Sequence, residues 1–552
     1  MQGMQGMPGM GGSPVIVINS TPQQESVRET QIQNIETAKT VADVIRTSLG
    51  PRAMLKMIFS AHGLVITNDG NAILRELEVV HPAAKMIVDL SRAQDEEVGD
   101  GTTTVIILAG EILHLAEPLL KRGIHPIFVV AGYSRALDDI MEHLYKISFE
   151  VDLDDRENMM KLLRNTLGTK MVRSHIDLFC GMALDAVRTV TRVVEGKKDI
   201  DIKRFVKIEK VPGADISDSC VIPGVVINKD VTHTGMKRRI ENPRIICLDC
   251  SLEYKKGESA TEVQLERAGD FEKLLEIEEQ YIKRMCTEIL KHKPDIVITE
   301  KGCSDLAQHF FFRAGVVALR RFRKTDNDRI ARASGATIVN QVDELQESFV
   351  GTKCGLFEVR KLGDEYFSFL TDCKDPQACT LLLRGPSKDH LNEVERNLHD
   401  VMAVAKNIFL EPRLVLGGGA TEMSTAQMLR EKAAAIAGRE QFAYQAIADA
   451  LEVIPRTLAA NCGVKPIRQI TQLRAKHAED PETNRAWGID GTTGKVAKMD
   501  ELNIWEPLVV KSQSLKTAIE ASMMLLRVDK IVSGSKKSKG NNGPQMSGPP
   551  PM

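Results

Sequence analysis

Val98-Gly99-Asp100-Gly101-Thr102-Thr103-Thr104 runs directly into the apolar residues 105–108 and follows the acidic Asp95-Glu96-Glu97, which reads as a turn. Two glycines let the backbone approach a bulky anion, and three threonines offer hydroxyls and backbone N–H groups at a helix start. The unpaired amides and the positive end of the helix dipole stabilise a phosphate at such a place. Asp100 is the odd member, because a carboxylate repels phosphate. A Mg²⁺ between the two removes the conflict, since this ion is usually held by one or two carboxylates together with phosphate oxygens. The segment therefore points to a nucleotide–Mg²⁺ site without the P-loop spacing. The plain alternative is a helix N-cap after a glycine turn.

The 552 residues exceed one simple core, and about two to four domains are expected. Ala, Val, Ile, Leu and Met supply the apolar interior, because only 4% of residues are aromatic. With 73 basic against 75 acidic residues, the chain carries no overall electrostatic footprint for nucleic acid. Arg320, Arg321, Arg323 and Lys324 cluster locally, which reads as a solvated face or a partner contact. Residues 1–14 have neither a basic segment nor an apolar one, so no secretory signal is read there. The apolar stretch 105–120 is interrupted by Glu111, His114 and Glu117 and is read as falling short of a membrane span. The expectation is a soluble, intracellular protein. Ten scattered cysteines suit a reducing compartment. Cys247 and Cys250 have a zinc-like spacing, but they sit on an expected strand with no second pair close behind. Cys373 and Cys379 flank a Lys-Asp-Pro turn and could bridge, although free thiols are the default in the cytosol.

A strand at 15–18 precedes a helix at 30–49, stopped by Gly50-Pro51. A hairpin signal covers 57–59 and 64–66, and Asn68-Asp69-Gly70 turns into a helix at 72–77. Helices follow through 90 and at 102–120, 126–147 and 158–167. The middle differs. Expected strands at 221–227, 244–252, 296–299, 337–339 and 356–359 alternate with helices at 270–291, 304–314 and 328–333. That pattern describes an α/β domain inserted into a helical one. Residues 253–269 are polar and form an excursion from it. Beyond 388 the chain is helical again, at 390–409, 420–437 and 442–460, with a short strand at 414–416. Folding ends near 532, and the Gly/Ser/Lys/Pro-rich 534–552 is expected to be disordered.

Gly417-Gly418-Gly419 lies between that short strand and a helix, a second place where backbone can cradle phosphate or ribose. Asp400 sits among apolar neighbours on the helix before it. Thr47-Ser48-Leu49-Gly50-Pro51, Thr67-Asn68-Asp69-Gly70, Gly99-Asp100-Gly101-Thr102-Thr103 and Gly417-Gly418-Gly419, in this order, resemble the chaperonins. The fit is to the group II type of archaea and the eukaryotic cytosol. It covers the chain apart from its two tails. NKDVTH at 228–233, LEYKKGES at 252–259, ITEKG at 298–302, GDEYFSF at 363–369 and ALEVIPRTL at 450–458 resemble the eukaryotic cytosolic branch in particular.

The resemblance implies a multidomain α + α/β chaperonin fold. A helical equatorial ATP-binding domain would take 15–156 and 412–533, and a small intermediate hinge domain 157–225 and 380–411. An α/β apical substrate-binding domain would take 226–379, with a helical protrusion near 252–285, leaving flexible tails at 1–14 and 534–552. Segments 15–18, the hairpin and 528–532 would form β contacts between subunits. Carried over position by position, Gly50, Gly101, Thr102, Thr103 and Thr104 would hold the phosphates of ATP or ADP, and Asp100 would hold Mg²⁺. Asp69 and Asp400, both ionised, would orient or deprotonate the attacking water. Thr169 and Lys170 would sense the γ-phosphate. Gly418, Gly491, Glu506 and Lys511 would enclose ribose and adenine. The implied activity is ATP hydrolysis coupled to folding of non-native clients, actin and tubulin among them. It would take place inside an eight-membered hetero-oligomeric ring stacked as a double ring in the cytosol. Prefoldin-type co-chaperones are implied as further partners, with no role for nucleic acid or membrane. Two other readings compete: a small-molecule kinase, and a ring subunit that binds ATP but barely hydrolyses it.

Overall fold

The computed structural model describes residues 27–531 apart from 61–62, 78, 169, 171–173 and 255–267. Helix α1 (Val27–Ile45) buries Ile35, Ala38, Ala42 and Ile45, an i, i+3, i+7, i+10 stripe facing the core. A 3₁₀ turn (Arg46–Ser48) leads to Gly50, and the antiparallel hairpin Lys56–Ser60/Gly63–Thr67 follows. Helices α2 (Gly70–Glu76), α3 (Pro82–Glu97), α4 (Thr102–Lys121) and α5 (Pro126–Ile147) complete the first part. Pro126 and the His125 ring, which accepts the Ile127 N–H, fix the start of α5. Asp95, Glu96 and Glu97 form the last turn of α3 rather than a loop, because α3 hydrogen bonding continues to Val98. Gly110 lets α4 lie against α1; a Cβ there would stand 2.5 Å from Ala42 Cβ. Contrary to the reading of 105–120, α4 is long and apolar enough to cross a bilayer, but 67% of its apolar window is buried inside the fold. It is a core helix.

The chain then leaves this body through α6 (Arg156–Leu167), α7 (Ile176–Val190) and the short α8 (Ile202–Phe205). Strand Val206–Pro212 pairs parallel with Cys379–Gly385, which also pairs antiparallel with Cys220–Ile222. The expected single strand at 221–227 is divided at Pro223-Gly224, and Val225–Ile227 belongs to another sheet. Gly224 makes the step possible: its φ is +147° and a Cβ would stand 2.0 Å from the Leu370 carbonyl oxygen.

The central insertion holds a four-stranded parallel sheet in the order Val317–Leu319, Ile296–Thr299, Ile245–Leu248, Ile338–Val339. Its helices are α9 (Ala268–Lys291), α10 (Asp305–Arg313) and α11 (Lys324–Ser334). Beside it lies an antiparallel sheet of Val225–Ile227, Glu365–Thr371, Leu356–Leu362 and Arg239–Glu241. The excursion at 253–269 falls mostly outside the described residues.

Helix α12 (Lys388–Leu410) carries the chain back to strand Arg413–Leu416, α13 (Ala420–Ala433), α14 (Glu440–Leu451), α15 (Val453–Asn461), α16 (Pro466–Glu479) and finally α17 (Leu508–Leu526). The expected helix at 442–460 is broken at Glu452, and α13 stops short of 437. Fully buried Glu452 pairs with Arg430 and Arg474, which anchors the break. Strand Arg413–Leu416 sits between Phe149–Glu150 and Trp505–Pro507, joining the two halves of the helical body.

Among the described residues three large apolar cores result, with a small fourth cluster of Val211, Val226, Phe367, Phe369 and Leu382. The largest gathers residues between 35 and 144 and between 415 and 526. A second is confined to 225–378. A third combines 159–206 with 379–414. The chain thus visits the cores in the order first, third, second, third, first. Segments 1–26 and 532–552, with the expected strand at 15–18 and the tail, lie outside the described residues, and 528–531 has no regular structure.

Candidate functional site

A cavity of about 460 Å³ opens at the N-terminus of α4. Gly101 is the N-cap residue, left-handed at φ +78°, and no side chain caps the helix. The N–H groups of the first turn, Thr102 to Thr104, are therefore left to whatever enters the cavity. Asp100 Oδ1 accepts the Gly101 N–H at 2.7 Å, turning the carboxylate onto its own loop. Asp69 ties two helix starts together. Its Oδ2 caps α2 by accepting the Ala72 N–H at 3.0 Å, and its Oδ1 accepts the Thr102 hydroxyl at 3.2 Å.

The opposite wall comes from the far end of the sequence. Gly418 and Gly419 are both left-handed, at φ +63° and +78°, and Gly419 starts α13 without a side-chain cap. A Cβ on Gly418 would stand 2.3 Å from Met499 Sδ, and one on Gly491 2.6 Å from the Pro51 ring. Gly50, Gly418, Gly491, Glu506 and Lys511 all line this same cavity with Asp69, Asp100, Thr102, Thr103, Thr104 and Lys170. Lys511 is almost fully buried and sits 2.7 Å from Glu422 Oε1 and 2.5 Å from Glu506 Oε2.

Asp400 is placed differently. It lines an adjacent cavity of about 550 Å³, with Asp95, Glu96 and Lys203, while Asp69 lines both cavities. Lys170 connects the two, with Nζ 2.9 Å from Asp400 Oδ2 and 4.0 Å from Asp69 Oδ1. Burial pushes the Asp400 carboxyl up to about 8, with Lys170 pulling it down and Asp69 adding to the rise. The carboxyl therefore titrates far closer to neutral pH than an ordinary aspartate, with the Lys170 ammonium beside it favouring the ionised form. Burial works against the Lys170 ammonium, but Asp400, Asp69 and Asp100 outweigh it and hold the proton on. Thr169 lies outside the described residues.

The residues present fit a nucleotide with Mg²⁺. Among the described residues no group of three or more His, Cys, Asp or Glu could cage a metal, so zinc at Cys247 and Cys250 has no support. A lone Asp100 beside a bare helix N-terminus suits an ion that takes its remaining ligands from phosphate and water. The sequence reading missed two contributors. Asp490 lines the cavity and accepts the Thr492 N–H and hydroxyl and the Thr493 hydroxyl at 2.9, 2.7 and 2.6 Å. Its Asp-Gly step was the available signal. Glu422, the buried partner of Lys511, gave none, because a Glu in a first helical turn reads as a dipole complement.

The model of the TCP-1/cpn60 chaperonin family matches residues 41–536. The chain belongs to this family. It is 56% identical over 542 residues to T-complex protein 1 subunit gamma of Xenopus laevis, spanning 98% of this chain and 99% of the relative. The protein of the same name from Schizosaccharomyces pombe is 57% identical over 526 residues, spanning 95% and 99%. The human one is 55% identical over 542 residues, spanning 98% and 99%. This chaperonin chain is an ATP-dependent chaperone subunit, with the mixed helical and α/β build of its family.

Proposed function

We propose that the chain is one subunit of an eight-membered hetero-oligomeric ring of paralogous chaperonin subunits, stacked as a double ring in the cytosol. It hydrolyses ATP with Mg²⁺ and uses the cycle to enclose and fold non-native proteins, actin and tubulin among them, with prefoldin-type co-chaperones as further partners. The observation that carries this reading is convergence. An uncapped helix N-terminus, Asp100, and Gly418, Gly491 and Lys170 from distant parts of the chain line one cavity.

In this reading the body from 15–156 and 412–533 is the equatorial domain, 157–225 with 380–411 the hinge, and 226–379 the apical domain. Bound ATP supplies a phosphoanhydride open to attack by water, with Mg²⁺ neutralising phosphate charge. Thr102, Thr103 and Thr104 bind through amides and hydroxyls, Gly50 and Gly101 keep the approach open, and Asp100 holds the ion. Gly418, Gly491 and Glu506 enclose the nucleoside, with Lys511 fixing Glu506. Asp400 takes the proton of the attacking water and Asp69 orients it. A carboxyl raised toward neutrality is a stronger base than an ordinary one. Lys170, with Thr169 beside it, reports on the phosphate by exchanging Asp400 for it. Differential affinity of the nucleotide for closed and open states moves the apical domain. Enclosure then keeps exposed apolar surface of folding intermediates from aggregating.

The test is refolding of denatured actin by the assembled ring carrying Asp400→Ala in this subunit. Slowed refolding with nucleotide still bound supports the assignment. Unchanged turnover at this subunit removes Asp400 from it and favours the subunit that binds without hydrolysing.

A further inference from the structure

Cys373 and Cys379 do not face each other. Cys379 is buried in the third core with its thiol donating to the Ala186 carbonyl at 3.8 Å. Cys373 is half-buried and belongs with Cys354 instead. The hairpin Leu356–Leu362/Glu365–Thr371 ends at the pair Leu356↔Thr371. The ladder ends there, and Cys354 and Cys373 lie on the two segments that run on from it. The Lys374 N–H donates to the Lys353 carbonyl at 2.8 Å, which holds the two segments side by side past the end of the ladder. Both thiols donate to one acceptor, the Thr371 carbonyl, at 3.6 Å from Cys354 and 3.9 Å from Cys373.

We infer that Cys354 and Cys373 form a redox-modification site, a vicinal dithiol that reacts with a small-molecule disulfide of the glutathione type and closes to an internal disulfide. One thiolate of the coupled pair attacks one sulfur of the reagent, giving a mixed disulfide and releasing a thiolate. Its partner then attacks the modified Sγ and expels the second thiolate. Two electrons pass from the protein sulfurs to the reagent, and the two protons end on the released thiols.

The chemistry of the other cysteines agrees. Burial pushes Cys180, Cys247, Cys286, Cys303 and Cys379 up to about 12, which leaves them inert. Within the pair, the hydrogen bond between the two thiols lowers Cys354 against the opposing effect of burial and raises Cys373 in return, so the two share one readily lost proton. Position gives the modification a consequence. Residues 372–378 carry the chain from the second core to the third, and Asp372, Asp375 and Gln377 adopt φ values of +54°, +55° and +37° there. These are strained conformations for non-glycine residues. A Cys354–Cys373 bond pins the start of this strained crossover to the α/β domain.

The assembled complex is treated with oxidised glutathione, alkylated and mapped by peptide mass spectrometry. Loss of two free thiols, with a peptide bridged between Cys354 and Cys373 that dithiothreitol reverses, supports the site. The Cys354→Ser variant then accumulates glutathione on Cys373 and shows no bridge, and Cys379→Ala behaves as wild type. A Cys373–Cys379 bridge, or Cys373 that stays glutathionylated in the wild type, overturns it. Wild-type mapping decides the matter even where a variant fails to assemble.

Discussion

Lys170 Nζ stands 2.9 Å from Asp400 Oδ2 and 4.0 Å from Asp69 Oδ1, one ammonium between two carboxylates, of which Asp69 lines both cavities and Asp400 only the second. Asp69 caps α2 beside the α4 N-terminus, whereas Asp400 rides on α12, in the third core. The contact therefore links the candidate nucleotide cavity to the part of the fold through which the chain crosses twice.

The pH dependence of turnover follows from it. A base must be deprotonated, and Asp400 is raised to about 8, so kcat/KM should climb with pH up to that region and level off above it. Lys170 lowers the Asp400 value; Lys170→Ala should move the limb to higher pH by about one unit or more. A pH–rate profile of the assembled complex, flat from pH 6 to 9 in both proteins, contradicts this.

Asp100 is the carboxylate assigned to the ion beside the α4 N-terminus. Asp100→Ala should reduce the gain in nucleotide affinity produced by Mg²⁺ by about tenfold or more. Affinity measured with chelator should change little. Nucleotide titrations with and without Mg²⁺ read the difference directly, and an intact Mg²⁺ effect places the ion elsewhere.

Gly99 is left-handed at φ +74°, and a Cβ there would stand 2.3 Å from Ala403 Cβ on α12. Gly99→Ala combines backbone strain with overpacking, so a loss of about 2–4 kcal/mol is expected, seen as a lowered unfolding midpoint. An unshifted midpoint means that α12 is not held against this loop.

Lys511 neutralises Glu422, which is fully buried. Lys511→Met leaves that carboxylate unpaired and should cost about 3–5 kcal/mol. Adding Glu422→Gln should restore much of it, and denaturant titration of both variants measures the recovery. Equal instability of the single and double variants denies the pairing its role.

Local chemistry made much of this fold legible. Pro126 fixed the start of α5, the spacing around 57–66 announced the hairpin, and alternating apolar runs announced the parallel sheet. The failures share a cause, long-range packing. Nothing local marks the break at Glu452, because the apolar period runs straight through it and the arginines that hold it come from α13 and α16. The division at Gly224 depends on the Leu370 carbonyl lying against it. At the site, glycines and threonines were visible as backbone requirements. The contact of Asp400 with Lys170 depends on how α12 packs and has no local signature.

The central claim, that Asp400, joined to the nucleotide cavity through Lys170, is the base for hydrolysis, is tested most directly by single-turnover ATP hydrolysis in rings whose other subunits are hydrolysis-dead. With Asp400→Asn in this subunit, the rate should fall by about 10²–10⁴-fold while nucleotide stays bound. A rate within a factor of about two of wild type, with nucleotide bound, contradicts the account.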